Sequence, residues 1–214
     1  MMNEQLMGKI LARLSAYTPA QAGVANIAIP VGISNRHVHL SKQDVEALFG
    51  QGYQLTPFKD LKQPGQFAAK ECVMVVGPKG SISKVRVLGP VRPKTQLEVS
   101  KADCFALGIK APVRESGDMA GSGNALLIGP AGHVNLESQV ICAQRHIHMS
   151  VMDARALNVV NGQKVNIRTE GERRLVFDEV VVRVDERFSL EFHIDTDEAN
   201  AAGLRNNDSV FIAG

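Results

Sequence analysis

The sequence predicts a mainly β protein: two similar small β-barrel domains with short capping helices, preceded by an N-terminal amphipathic helix on a linker. Three observations carry this reading. Paired β-branched runs flank turn signals in both halves of the chain. One short pattern occurs twice, as SNRHVHLS at 34–41 and AQRHIHMS at 143–150. Further matching segments follow each copy in the same order. Duplicated, strand-rich units with short helices fit two small barrels better than a parallel α/β sheet.

Residues 2 to 15 place Leu6, Met7, Ile10, Leu11 and Leu14 on one helical stripe, with Asn3, Glu4, Lys9 and Arg13 mostly off it. The small, polar SAYTPAQAGVAN behind it reads as a flexible linker. Such a helix can pack on its own domain, dock in a partner's groove, or lie on a membrane surface; its small positive charge argues least for the last. These segments make an N-terminal unit over 1–24.

In the body, VMVVGPKGSISKVRVLGP (73–90) is a hairpin signal around GPKG, and QKVNIRTEGERRLVFDEVVVRV (163–184) is another around Glu170, Gly171 and Glu172. SKQDVEALFG and SVMDARALNV each begin with a serine and a following aspartate that can cap a first helical turn. KADCFALGI and TDEANAAGL form another helical pair, each ending near a glycine. The two HxH motifs are offset by 109 residues (146 − 37), and the downstream segments by 95 (193 − 98). At that offset Leu97-Glu98-Val99 falls on Phe192-His193-Ile194, and Arg92 falls on Arg187. The first half carries an extra region, FGQGYQLTPFKDLKQPGQFAAK, which explains the difference. The expected domains are 25–120 and 121–214, with the Gly/Ser-rich RESGDMAGSGNA between the copies as a linker or mobile loop.

Composition excludes several function classes. The 214 residues are 44% hydrophobic with a net charge of +2 and no long basic run, which argues against a nucleic-acid surface. The lack of tryptophan weakens a base-stacking role further. Cys72, Cys104 and Cys142 are far apart with no CxxC, so a disulfide framework is not expected and buried structural roles are. No apolar run reaches the roughly 20 residues of a membrane span, and the first residues lack the core of a secretory signal.

Residues two apart on a strand share a face. His37 and His39 can therefore converge on one ion, as can His146 and His148. The duplication makes Glu98 and His193 equivalent third ligands. Two triads result, His37–His39–Glu98 and His146–His148–His193, using five of six histidines; His133 reads as a surface residue. Three ligands leave open positions at an ion such as zinc, which polarises carbonyls, stabilises a thiolate or activates water. Arg36, Lys59, Arg86, Arg92 and Arg145 lie close to these segments in sequence and suit an anionic substrate. Arg92 stands across the turn at Pro90 to Thr95 from Glu98, where a guanidinium can hold a phosphate through parallel hydrogen bonds.

At SNRHVHLS, LKQPGQFAAKE, VGPKG, residues 85–92, AQRHIHMS, RRLVFD and HIDTDEANAAG the chain resembles the PduL-type phosphate propanoyltransferases, the phosphotransacylases of bacterial microcompartments. The similarity runs from about residue 28 to the end. It implies interconversion of a short-chain acyl-CoA (propanoyl-CoA or acetyl-CoA) plus phosphate with an acyl phosphate plus coenzyme A. It also implies a pair of Zn2+ ions, one held by His37, His39 and Glu98 with the coenzyme A sulfur, the other by His146, His148 and His193. Arg92 matches the phosphate-contacting arginine. Ser34, Lys59, Arg86, Leu88 and Asn200 match positions around the coenzyme A nucleotide. The N-terminal helix resembles peptides that direct such enzymes into a protein shell, which implies shell or core proteins as partners and a place inside a microcompartment in the cytoplasm. A homo-oligomer is left open. Two other classes stay in view: a metal-dependent hydrolase of esters or amides, disfavoured because HxH hydrolases of that kind sit in barrels of about 250 residues, and a non-catalytic shell-associated protein.

Overall fold

The computed structural model describes residues 27–213. The helix expected over 2 to 15 and its linker lie outside the described residues. In chain order the elements are β1 (Ile29–Ser34), β2 (His37–His39), α1 (Lys42–Phe49), β3 (Pro57–Asp60), β4 (Phe67–Val76), β5 (Ser81–Gly89), β6 (Gln96–Glu98), α2 (Lys101–Leu107), β7 (Val113–Arg114), β8 (Gly123–Ile128), β9 (His133–Ala143), β10 (His146–Met149), α3 (Val151–Ala156), β11 (Lys164–Arg168), β12 (Val176–Val184), β13 (Glu191–Asp195), α4 (Thr196–Ala202) and β14 (Ser209–Ile212).

The strands form two closed six-stranded barrels. The first runs β4–β5–β2–β6–β9–β8, with β8 returning to β4; β3 and β7 extend it on β4 and β9. The second runs β1–β13–β10–β12–β11–β14, with β14 closing onto β1. Closure leaves open edges only on the short added strands β3 and β7. Alternation directs side chains inward: along β11, Val165 and Ile167 are buried while Lys164, Asn166 and Arg168 are exposed. One core gathers Leu40, Val87 and Leu97 in the first barrel, the other Ile29, Ile147 and Phe192 in the second.

Both hairpins form where expected, β4 with β5 and β11 with β12. All four short helices also form. Ser100–Asp103, Ser150–Asp153 and Asp195–Glu198 make reciprocal capping boxes, and Ser41 caps α1. Gly108 and Gly203 end α2 and α4 in the left-handed region, at φ 69° and 67°. Helices of six to eight residues are too short to persist alone. They hold because Val45 and Leu48, Leu107, and Ala199 and Ala202 are buried against the barrels.

The barrels do not follow the expected division at 120/121. Strand β1 closes the second barrel, and β8 and β9 close the first. The chain therefore crosses between barrels twice, at Asn35–Arg36 and at Gln144–Arg145, each time just before an HxH strand. Nor is RESGDMAGSGNA a linker. It connects β7 to β8 within the first barrel, and Ser116 and Gly117 bond to that barrel's own residues. Strand pattern reports which face is buried, not which sheet a strand joins, so the exchange was not legible.

Candidate functional site

The two crossings bring the HxH strands together. In the first barrel His37 lies opposite Glu98 across β2 and β6; in the second His146 lies opposite His193 across β10 and β13. The duplication thus places its third ligands in identical register. One donor atom from each of His37, His39 and Glu98 lies within 4.8 Å of the others, and the same holds for His146, His148 and His193. His37 Nδ1 donates to the Asn35 carbonyl and His146 Nδ1 to the Gln144 carbonyl, both at 2.8 Å. Those carbonyls belong to the crossing residues. They fix each ring's tautomer and leave Nε2 with its lone pair free.

The environment keeps the imidazoles of His39, His146 and His148 neutral. Burial lowers the pKa of His39 to about 3, His146 to about 4 and His148 to about 2, with neighbouring histidines adding to the effect. Burial pushes Glu98 the other way, but His37, His39 and Arg92 outweigh it and hold the carboxyl below its usual range. Neutral imidazoles beside an ionised carboxylate are the protonation states that bind a divalent cation. His39 Nδ1 and His148 Nδ1 are buried with no hydrogen-bond partner among the described residues, and His193 Nε2 has only the nearby Glu191 carboxylate, 2.9 Å away. Leaving such atoms unsatisfied is costly, and a metal ion or a bound ligand would remove part of that cost. The donor types and their spacing fit one divalent ion per set.

Both sets face one cleft of about 840 Å³. Ser34, Lys59, Arg86, Leu88 and Arg92 line it. Arg92 is half-buried there, with Nη1 3.2 Å from Ser116 Oγ. Arg86 also lines the cleft, but its Nη1 already donates to the carbonyls of Ala69 and Lys70 at 2.9 and 2.8 Å. Asn200 does not reach the cleft: it is exposed on α4, and Asn206 and Asn207 line the wall instead. Of Arg36 and Arg145, expected near an anion, Arg36 lines the cleft and Arg145 does not, and each is held by a carboxylate. Arg36 Nε donates to Asp103 at 2.8 Å and Arg145 Nη1 to Glu198 at 2.8 Å. Each arginine at a crossing is thus tied to the acidic member of a capping box. Cys104 and Cys142 are buried as expected, their sulfurs 3.8 Å apart, and His133 is exposed.

Four residues of the site escaped the sequence reading. Arg183 lines the cleft, and its side chain makes no hydrogen bond or ion pair among the described residues. Phe188 packs on His148 with ring centroids 4.2 Å apart. Gln96 donates to Glu98 Oε1 at 2.6 Å, and Glu191 Oε2 lies 2.9 Å from His193 Nε2. A signal existed for three of them. The offset of 95 that equates Glu98 with His193 also equates Leu88 with Arg183 (183 − 88) and Gln96 with Glu191 (191 − 96).

Known proteins match this arrangement along most of the chain. The family model described as phosphate propanoyltransferase matches residues 30–205, which contain both three-donor sets, Arg92 and Arg183. A phosphate propanoyltransferase of Thermotoga maritima is 57% identical over 185 residues, covering 86% of this chain and 88% of the relative. One of Rhodobacter capsulatus is 51% identical over 207 residues, covering 97% and 96%. One of Listeria monocytogenes is 47% identical over 204 residues, covering 95% and 93%. Two fused barrels with this cleft therefore make an acyltransferase. Within that class, the chain belongs to the phosphate propanoyltransferase family.

Proposed function

We propose that this chain interconverts a short-chain acyl-CoA (propanoyl or acetyl) plus phosphate with the acyl phosphate plus coenzyme A, using two zinc ions. The observation that carries the reading is the convergence of two equivalent three-donor sets and four arginines on one cleft. His37, His39 and Glu98 would hold one ion, and His146, His148 and His193 the other. When bound, such ions stabilise oxyanions and thiolates.

The chain's own groups do the rest. Arg92, anchored on Ser116, turns the free part of its fork to the cleft and holds phosphate. Lys59 and Arg86 on the same wall meet the anionic nucleotide end of coenzyme A, beside Ser34 and Leu88. With both substrates held, a phosphate oxygen attacks the thioester carbonyl carbon. The tetrahedral oxyanion collapses, the C–S bond breaks, and the proton released by phosphate passes to the departing sulfur. Ser116 lines the cleft but is taken up by Arg92, Gln96 and Glu98, and the transfer proceeds by direct attack of phosphate, without an acyl-enzyme.

The N-terminal helix of residues 2 to 15, with its stripe of Leu6, Ile10, Leu11 and Leu14, would carry the enzyme to shell or core proteins of a microcompartment. Its support is the sequence pattern alone.

Phosphate dependence tests the reaction. Purified enzyme should consume propanoyl-CoA only when phosphate is supplied and should release acyl phosphate in equal amount. Consumption in phosphate-free buffer would mean a hydrolase instead.

A further inference from the structure

The segment RESGDMAGSGNA enters the reaction only where Ser116 anchors Arg92, yet its bonds reach further. Ser116 Oγ accepts from Arg92 Nη1 at 3.2 Å and from Gln96 Nε2 at 2.8 Å, and its own hydroxyl donates to Glu98 Oε1 at 3.2 Å. Gln96 is buried beneath it. The same amide nitrogen also donates to Glu98 Oε1, at 2.6 Å, and the Gln96 Oε1 accepts the Gly117 N–H at 2.7 Å. Gly117 makes that bond with φ at 100°, in the left-handed region that favours glycine.

Donors and acceptors in this cluster balance. A serine hydroxyl has one proton and two lone pairs, and a glutamine amide has two N–H groups. Here the one hydroxyl proton goes to Glu98, the two lone pairs go to Arg92 and Gln96, and both amide protons are used. An ionised Glu98 can only accept. It therefore draws the Ser116 proton to itself and keeps a lone pair of the hydroxyl turned to the guanidinium. In return, Glu98 Oε1 is pinned from the loop side. Its Oε2 takes no hydrogen bond among the described residues and lies 3.4 Å from His37 Nε2, within the first three-donor set.

We infer that Ser116 is a positioning residue shared by the phosphate arginine and the carboxylate ligand, so that the loop between β7 and β8 aims Arg92 and Glu98 together. The inference rests on the reading of Glu98 as a metal ligand and Arg92 as the phosphate holder, and it names the hydroxyl that couples them. The coupling has a direction. Without Arg92, Ser116 is still held by Gln96 and still donates to Glu98, so ion binding survives. Without the hydroxyl, the guanidinium loses its anchor, Glu98 loses a donor, and one amide proton of the buried Gln96 loses its acceptor.

The test uses the full chain loaded with zinc. The affinity of each ion is measured by chelator competition, and kcat/KM for phosphate from release of acyl phosphate with zinc saturating. Ser116→Ala should weaken one of the two ions about 10- to 100-fold, lower kcat/KM for phosphate by a similar factor, and leave the other ion as in wild type. In an Arg92→Ala background the same change should cost less than about threefold in kcat/KM, because independent effects would multiply and these act through one guanidinium. Wild-type affinity for both ions in Ser116→Ala would overturn the inference, as would wild-type kcat/KM for phosphate or a full second loss in the double variant. Equal weakening of the two ions would also overturn it, as the mark of a general loss of structure. A wild-type enzyme that binds two ions yet transfers no acyl group to phosphate would sink the acyl-transfer reading instead, and the chelator titration of Ser116→Ala would still decide whether the hydroxyl supports Glu98.

Discussion

Replacing Arg92 with alanine tests the phosphate site most directly. The residue reaches the cleft from the turn before β6; its backbone N–H donates to the Leu40 carbonyl at 2.9 Å and its Nη1 to Ser116 Oγ at 3.2 Å. With one nitrogen anchored, the guanidinium can offer two parallel hydrogen bonds to a phosphate. Two charge-assisted bonds at about 1.5–3 kcal/mol each sum to about 3–6 kcal/mol, and at about 1.4 kcal/mol per decade that is roughly 10²- to 10⁴-fold. The assay is kcat/KM for phosphate at saturating propanoyl-CoA, with zinc per chain measured on the same preparation. Arg92→Ala should lose roughly 10²- to 10⁴-fold while zinc stays at the wild-type level. Arg92→Lys, which keeps the charge and loses the fork, should fall between. An Arg92→Ala enzyme within about threefold of wild type would refute the assignment, since less than one ordinary hydrogen bond would be missing. Lost zinc would transfer Arg92 from substrate binding to support of Glu98.

Two stability predictions follow from the packing. Leu97 is fully buried in the first barrel between Glu98 and Gln96, so Leu97→Ala should cost about 2–5 kcal/mol of unfolding free energy in denaturant titration; a cost below about 1 kcal/mol would mean the barrel interior can collapse around the loss. Burial alone would raise the pKa of Glu71, but the Thr56 N–H and the Tyr53 hydroxyl bond to it and hold it below its usual range. A carboxylate depressed on folding contributes stability above its unfolded value of about 4.3 and loses it as pH falls through the lower folded value. Glu71→Gln should therefore flatten the acid side of the Tm–pH curve below about pH 4.5 and leave its shape near neutrality unchanged; an unchanged acid limb would show that Glu71 is not linked to folding.

Much of the local structure was legible along the chain. Ser41, Ser100 and Ser150 each stand three residues before an aspartate, and the structure caps a helix at each. The GPKG hairpin is read from adjacent residues because turn and strand preferences are local. The six donors were also legible, since i and i+2 share a face of any strand and the internal repeat pairs Glu98 with His193. These depend on spacing alone, and spacing survives folding.

Partnership between distant strands was decided only in three dimensions. Nothing in IPVGIS shows that β1 closes the barrel of the other half, because its alternation would satisfy either core. That exchange carries the chain across at Arg36 and Arg145, ties both to capping acids, and leaves Arg183 rather than either of them free in the cleft. A charge written in sequence has a sign but no direction. Which arginines line the cleft, and that Gln63 reaches the opposite barrel to bond Glu191, was decided by where the folded backbone delivers each side chain.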